Sequence, residues 1–407
     1  MRYSELSFLS HRGLLTKAAP DMTMHCTSRT RVSTPWLSMV LPALSVVFAW
    51  AGCAAEISIP GRAAAAGQLV ATAATLSTEG AQLSGLQFDL VWDEPLEIQI
   101  ATGNEIVRSG KLLYTAQLTG RSLRVLIIGM GQGSLANGEL VRLFVAVGQG
   151  TGSPAVKVSN LIGTTAAGDP VVLRGTSATI PIDGSTSGGA FLQESVLNAA
   201  SLQPGPVSPG EIITILGAFG INLPSNAAVD VAGTPATILY AQRNQINAVV
   251  PAGLDPSLPA DLAVAIQNQV VARVPVATAA ATPAIFTQNG SGVGLGAILN
   301  EDYTPNTPSN PAAVGSIVMM YGTGFGALTP PSGDANSGIA PTTLAVTAEV
   351  SGAPADVMYA GAAPGQVAGL TQINVKIPSG VQPGDAVPFT LSAGAFRTPS
   401  GVTIAIR

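Results

Sequence analysis

The most informative absence from the 407-residue sequence is that of histidine and cysteine beyond its first 53 residues. Both histidines, His11 and His25, and both cysteines, Cys26 and Cys53, lie in that first segment. If the segment is a leader that is removed, the remaining chain has no imidazole and no thiol group. The sequence then excludes a His-based catalytic triad, a disulfide framework and a zinc site built from His or Cys.

Charged and aromatic residues are also scarce. Charged residues make up 10% of the chain and aromatic residues 5%, whereas there are 46 Gly and 30 Pro. From Glu56 onward, 13 Lys and Arg stand against 21 Asp and Glu, a net charge of −8. That sign argues against nucleic acid or an anionic membrane surface as partner. Short apolar runs separated by Gly and Pro predict strands and turns, so we expect an all-β protein.

An apolar stretch near the N-terminus, "WLSMVLPALSVVFAWAG" at 36–52, follows two arginines and precedes small residues. These are the parts of a secretory signal, with an uncleaved anchor as the alternative. We predict a leader over residues 1–55, cleaved after Ala55, and a protein that is secreted or held at a bacterial cell surface. Lipidation at Cys53 is a second possible link to the membrane, although Trp50 does not suit the first position of a lipoprotein signal.

The composition changes sharply at "DGSTSGGA", a Gly- and Ser-rich stretch at 183–190. Such a stretch is typical of a flexible linker. We therefore predict a β-sandwich over residues 56–183, a linker over 184–190 and two further β-sandwiches over 191–281 and 282–407.

The division of the second half is based on a repeat. The tripeptide Gln-Ile-Asn occurs in "ILYAQRNQINAVVP" (238–251) and again in "VMYAGAAPGQVAGLTQINVKIP" (357–378). Matching landmarks occur in the same order in both copies: Gly210 with Gly315, Gly217 with Gly322, Pro235 with Pro354, Tyr240 with Tyr359, Gln245 with Gln372, Asn247 with Asn374 and Pro251 with Pro378. Copies of domain size predict two tandem domains of one fold. The alternation within each Gln-Ile-Asn segment predicts a half-buried strand, whose amides we expect to bond to turn backbone.

The second half also resembles a known family, the tandem immunoglobulin-like domains of the IPT/TIG type found at the C-terminus of many secreted proteins of soil bacteria. The resemblance is carried by "VLNAASLQPGPVSPGEIITILG", "TPATILYAQRNQINAVVP", "NPAAVGSIVMMYGTGFG" and the closing "GVTIAI". It implies a pair of Ig-like sandwiches of the E-set kind that serve as spacer or dock. It implies no catalytic residue.

Residues 65–182 resemble a cohesin-like module, through "LSGLQFDLVWDEPLEI", "SGKLLYTAQLTGRSLRVLIIG" and "LANGELVRLFVAV". The resemblance implies a jelly-roll sandwich that binds a carbohydrate or a protein partner. Within "LQFDLVWD", Phe88 and Trp92 alternate with Asp89 and Asp93, so the aromatics are expected to face the core and the acids to face outward.

These acids supply the candidate site. We predict that Asp89, Asp93 and Glu94 form an exposed acidic cluster that binds a ligand, and we predict no catalytic residue, cofactor or metal. The function expected is non-catalytic binding of an extracellular polysaccharide or a secreted protein. Two alternatives stay open: a purely structural surface component, and a glycoside-active enzyme that uses paired carboxylates. Because sugar recognition uses exposed aromatic rings, burial of Phe88 and Trp92 would favour a protein partner.

Overall fold

The computed structural model of the chain describes residues 54–129, 133–183, 190–219, 227–242, 244–329 and 339–407. The predicted leader lies outside these residues except for Ala54 and Ala55, and so does the predicted linker except for Ala190. No helix among the described residues has the length and apolar character needed to cross a membrane.

The described chain is almost entirely β-structure, which confirms the predicted fold class. It contains thirty strands and one short helix. The strands form a series of packed sheets with three main apolar cores, as tandem β-sandwiches require.

The first sandwich contains the helix α1 (Asn104–Ser109). Its strands are β1 (Ala55–Ser58), β2 (Ala64–Ala65), β3 (Leu69–Ser77), β4 (Gly85–Trp92), β5 (Leu96–Thr102), β6 (Leu112–Thr119), β7 (Ser122–Ile128), β8 (Gly138–Val147), β9 (Ala155–Thr164), β10 (Pro170–Val171), β11 (Leu173–Gly175), β12 (Ala178–Thr179) and β13 (Ile182–Asp183). One sheet has the order β11-β1-β3-β8-β5 and the other β10-β9-β4-β7-β6, with β12 beside β9. The short pair β13-β2 completes the unit.

Strand β4 lies in the middle of the second of these sheets and alternates as predicted. Leu86, Phe88, Leu90 and Trp92 are buried in the first core. Since successive side chains of a strand point to opposite faces, Asp89 lies on the outer face of the sheet.

The second sandwich comprises β14 (Phe191–Asn198), β15 (Ile212–Gly217), β16 (Ala227–Val231), β17 (Thr234–Gln242), β18 (Gln245–Val249), β19 (Ala260–Ile266) and β20 (Gln269–Val276). The third comprises β21 (Ala284–Ile285), β22 (Gly294–Leu295), β23 (Ile298–Leu299), β24 (Ile317–Thr323), β25 (Val346–Val350), β26 (Ala353–Ala362), β27 (Thr371–Lys376), β28 (Gly384–Ala393), β29 (Phe396–Arg397) and β30 (Val402–Ile406).

The two copies of the repeat have one topology. The strand order is β14-β15-β18-β17-β16-β19-β20 in the second sandwich. In the third it is β21-β24-β27-β26-β25-β28-β30-β22, so that its first seven strands follow the same order. The register shifts just before Tyr240 in the first copy and just before Tyr359 in the second, each tyrosine lying opposite the Asn of Gln-Ile-Asn. The repeated tripeptide therefore belongs to a duplicated fold element.

The amides of the tripeptide bond to each other and not to turn backbone, so that expectation is wrong. Gln245 Nε2 donates to Asn247 Oδ1 at 2.8 Å, and Gln372 Nε2 donates to Asn374 Oδ1 at 3.0 Å. The reason is the two-residue period of a strand, which places both side chains on one face within reach of each other.

The second sandwich packs against the outer face of the β11-β1-β3-β8-β5 sheet. Leu69 and Phe144 from this sheet form a buried cluster with Leu197 and Leu216 of β14 and β15. The outer face of the other sheet, which carries Asp89, lies on the opposite side of the first sandwich from this contact.

Candidate functional site

The outer face of the β10-β9-β4-β7-β6 sheet, referred to below as the outer face, combines exposed apolar side chains with a central ion pair. Gln87 of β4 lies between Leu126 of β7 and Ile162 of β9, and Leu126 lies opposite Tyr114 of β6. The exposed fractions are 41% for Tyr114, 40% for Ile128 and 52% for Ile162.

The ion pair is next to this apolar row. Arg124 of β7 lies directly opposite Asp89 of β4, and its Nε and Nη2 atoms donate to the two carboxylate oxygens at 2.7 and 2.9 Å. Asn160 lies in β9 where the register between β4 and β9 shifts, and its Nδ2 donates to Asp89 Oδ2 at 3.0 Å. Two parallel bonds from a planar guanidinium fix both position and orientation. The pair is therefore a rigid feature at the centre of the face.

The prediction that Asp89 is an exposed acid is wrong, because Asp89 is only 7% exposed. The bonds from Arg124 lower the pKa of Asp89 below its ordinary value, and the bond from Asn160 adds to this effect, while burial opposes it. Asp89 is an ionised carboxylate already occupied by protein donors.

Asp93 and Glu94 are exposed, but each has a different basic partner. Asp93 Oδ2 accepts a bond from the backbone N–H of Ala155 at 3.1 Å, and Asp93 Oδ1 lies 3.6 Å from Lys157 Nζ. Glu94 Oε1 pairs with Arg121 Nη1. The three predicted site residues are thus members of three separate ion pairs, and the region is balanced in charge.

The basic partners are the residues that the sequence analysis missed. Arg121 lies in the turn before β7, Arg124 in β7 and Lys157 in β9, so none is near its partner along the chain. Alternation in "SLRVLII" is the one local sign that Arg124 shares a face with Leu126.

The aromatic residues of the first sandwich divide clearly into buried and exposed. Phe88 is 0% exposed, Trp92 5% and Phe144 1%, whereas Tyr114 is 41% exposed. Phe88 and Trp92 therefore lie on the core face, as the alternation in the sequence predicts.

Among the described residues there is no group of three or more His, Cys, Asp or Glu side chains that could hold a metal ion. The ion pairs of the outer face are made with protein cations instead.

Comparisons with known proteins give structural neighbours alone. No family model matches the chain, and no curated protein matches it. The solved structures similar to it include a non-cellulosomal cohesin from the archaeon Archaeoglobus fulgidus, with 17% identity, a TM-score of 0.29, and coverage of 32% of this chain and 91% of that one. They also include the sixth cohesin of scaffoldin B from Acetivibrio cellulolyticus, in complex with a dockerin, at 18% identity and a TM-score of 0.29, covering 32% of this chain and 99% of that one.

A third is the seventh type I cohesin of ScaB from Pseudobacteroides cellulosolvens, at 15% identity and a TM-score of 0.28, covering 33% of this chain and 95% of that one. These neighbours are all-β cohesin domains. At such values they carry no argument about a partner or an activity of this chain. The resemblance of the second half to IPT/TIG-type domains stays a prediction.

Proposed function

We propose that the chain is a non-catalytic binding protein whose outer face docks a protein partner. The observation that carries the proposal is the combination of Ile128, Ile162 and Tyr114, all exposed, with the bidentate Asp89–Arg124 pair on one sheet face. Exposed apolar side chains grouped on one face are typical of protein–protein contacts, and a fixed charge pair supplies orientation.

A protein partner fits this face better than a polysaccharide. Sugar rings stack on exposed aromatic rings, and Tyr114 alone among the aromatics of the first sandwich offers a substantial exposed surface. The carboxylate of Asp89, which could otherwise accept bonds from sugar hydroxyls, already accepts three bonds from Arg124 and Asn160.

The same geometry argues against glycoside hydrolysis. A carboxyl group that acts as a general acid must stay protonated near neutral pH, and so it needs a raised pKa. The pKa of Asp89 is lowered instead. Asp93 and Glu94 each lie beside a cation of their own.

Export belongs to the same proposal. The signal-like segment at 36–52 favours a secreted or surface location, and the tandem sandwiches then act as spacer or dock. A purely structural role is the alternative, and it predicts no specific partner for the outer face.

The test compares two double variants in a pull-down from the culture medium followed by mass spectrometry. Ile128→Asp with Ile162→Asp places charge on the outer face, and Val270→Asp with Met358→Asp, at positions 58% and 60% exposed, is the matched control elsewhere. We expect the parent chain to retain a partner protein from the medium. The amount retained should fall at least tenfold with the first variant and stay unchanged with the control. Two outcomes would contradict the proposal. One is that no protein is retained; the other is that the parent chain binds a glycan on a parallel array and the first variant does not.

A further inference from the structure

Strand β5 is the last strand of its sheet and pairs on one side only, with β8. Among the described residues, no strand pairs with its other edge. In an antiparallel strand, every second residue directs its backbone N–H and C=O toward such an edge. Natural sheets usually protect an edge with a charge, a proline or a bulge. The middle of β5, Ile98-Gln99-Ile100, has none of these.

Three cavities follow this edge in chain order. The first, of about 570 Å³, is lined by Glu94–Glu97; the second, of about 420 Å³, by Ile98–Ile100; the third, of about 160 Å³, by Ile100–Thr102. The second and third share Ile100, Thr115, Leu202 and Gly290. These two cavities together are called the β5 groove; the first cavity shares no lining residue with them, and its lining includes the charged residues Glu94, Glu97 and Arg121. At ~3.3 Å per residue, the groove extends about 17 Å along Ile98–Thr102, so the five central residues of an extended heptapeptide fill it.

The side chains beside β5 are apolar on one face of the strand and polar on the other. Ile98 and Ile100 pack against the core of the first sandwich, together with Leu123 of β7. Gln99, in contrast, lies opposite Phe144, on the side where the second sandwich packs. A strand added to β5 would therefore meet apolar side chains with one face and polar side chains with the other.

The polar wall is an uncharged set of amides and hydroxyls. Gln245 and Asn247 of β18 line the middle cavity with Thr214, and every side chain that lines this cavity is uncharged. Asn247 Oδ1 accepts both the Gln245 Nε2 bond and the Thr214 Oγ1 bond. The amide nitrogen of Asn247 has no protein partner among the described residues, so it can donate to a carbonyl or hydroxyl group.

We propose that the β5 groove binds an extended, uncharged peptide segment of a partner protein by strand addition to β5. The main chain of the segment pairs with the free edge of β5, as in other cases of β-augmentation. Its apolar side chains lie on the side of Ile98 and Ile100, and its Ser, Thr or Asn side chains lie on the side of Gln99 and Asn247. Tyr114 belongs to the outer face and also lines the third cavity, whereas Ile128, Ile162 and the Asp89–Arg124 pair do not line the groove.

The experiment pans a phage-displayed heptapeptide library against the purified chain. We expect enrichment of uncharged sequences that alternate apolar with small polar residues, and saturable binding of the best synthetic heptapeptide by calorimetry. Hydrogen exchange of the amides of Ile98, Ile100 and Thr102, which face the free edge, should slow at least tenfold when the peptide is bound. An analogue with N-methyl groups on alternate residues should lose binding, because it lacks the donors for the edge. A library without enrichment, or protection elsewhere in the chain, would overturn the proposal.

Two variants locate the binding. Gln99→Lys puts a charge in the middle of the edge and should weaken the peptide at least tenfold. Gln269→Lys makes the same change on β20, which is also a terminal strand of its sheet, and should have no effect. Circular dichroism of both variants checks that they fold. Equal affinities of the two variants for the heptapeptide would refute the site. Calorimetry that shows cellohexaose binding in the groove, with no peptide bound, would refute it as well.

The two proposals fail separately. Ile162 lies on the outer face and does not line the β5 groove. Ile162→Asp should therefore leave the heptapeptide affinity unchanged even where it abolishes docking of a protein on the outer face.

Discussion

At the scale of single residues, a local pattern determines the face on which Asp89 lies, and a tertiary contact with Arg124 determines its environment there. The alternation of "LQFDLVWD" correctly places Asp89 on the outer face. Its environment there depends on Arg124, which is 35 residues away in the sequence. The Arg124 side chain is 36% exposed and that of Asp89 9%, so removal of the arginine would leave a largely covered carboxylate without its main donor.

We predict that Arg124→Met lowers the free energy of unfolding by more than Asp93→Asn does, because Asp89 then keeps only the bond from Asn160. Urea denaturation at pH 7 measures the change. Asp93→Asn is the control, since its pair with Lys157 is exposed and should contribute less than about 1 kcal/mol. Equal losses in the two variants would show that Asp89 is effectively solvated.

The same pair predicts a dependence on acid. The pKa of Asp89 is lowered in the folded state, so its contribution to stability is present above the ordinary Asp pKa of about 4 and is lost as pH falls through the folded value. In Asp89→Asn the acid-induced loss of stability below pH ~4 should be smaller than in the parent chain. Unfolding curves at pH 3 and pH 6 measure this difference, and an unchanged loss would contradict the assignment.

At the scale of elements, the repeated glycines have a physical cause that the strand pattern does not reveal. A Cβ atom added at Gly217 would lie 2.4 Å from the Phe219 ring, and one at Gly322 would lie 2.4 Å from the carbonyl oxygen of Ala284. Both glycines are in the strands that start each copy, β15 and β24. They allow a neighbouring segment to cross the strand closely.

We expect Gly322→Ala to lower the free energy of unfolding by about 1–3 kcal/mol, because the carbonyl it meets belongs to the backbone and can move only with its segment. Thermal or urea unfolding gives the value. Gly380→Ala is the control: no atom lies within 4 Å of its added Cβ, so the change should be less than about 0.5 kcal/mol. A similar effect of the two substitutions would rule out close approach as the cause.

At the scale of the whole molecule, a buried carboxyl joins the second and third sandwiches. Glu211 is 1% exposed and accepts bonds from Asn198 Nδ2, the backbone N–H of Ser208 and Thr282 Oγ1 at 2.8, 2.8 and 2.6 Å. Asn198 also donates to the carbonyl oxygen of Thr282, where the third sandwich begins. Burial raises the pKa of Glu211 to about 7, although these bonds oppose the rise.

The raised value predicts a loss of stability as the pH rises through neutrality. A group whose pKa is higher in the folded state stabilises fully below its unfolded pKa, and this contribution disappears as pH rises through the folded value. Between pH ~4.5 and pH ~8, Glu211 should therefore reduce the free energy of unfolding by about 3 kcal/mol.

Unfolding of Glu211→Gln across this range should show a correspondingly flatter pH profile, because the amide does not titrate. Glu349→Gln, which changes an exposed carboxyl, should keep the profile of the parent chain. A profile for Glu211→Gln that matches the parent chain would show that another group is responsible.

Much of the fold was open to prediction from the sequence because its cause is local. The period-two pattern, the Gly and Pro punctuation and the order of repeated landmarks depend on neighbours in the chain, and they predicted an all-β architecture with duplicated sandwiches. The same local pattern correctly assigned Phe88 and Trp92 to the core.

The candidate site depended on the tertiary structure. Asp89, Asp93 and Glu94 look like one acidic cluster along the chain, but strand pairing places a different cation beside each. The free edge of β5 and the groove beside it arise where the first sandwich meets residues of the second and third. A sequence determines which residues can form strands; the register between distant strands, and the packing of one sandwich on another, determine which surfaces and charges remain for a partner.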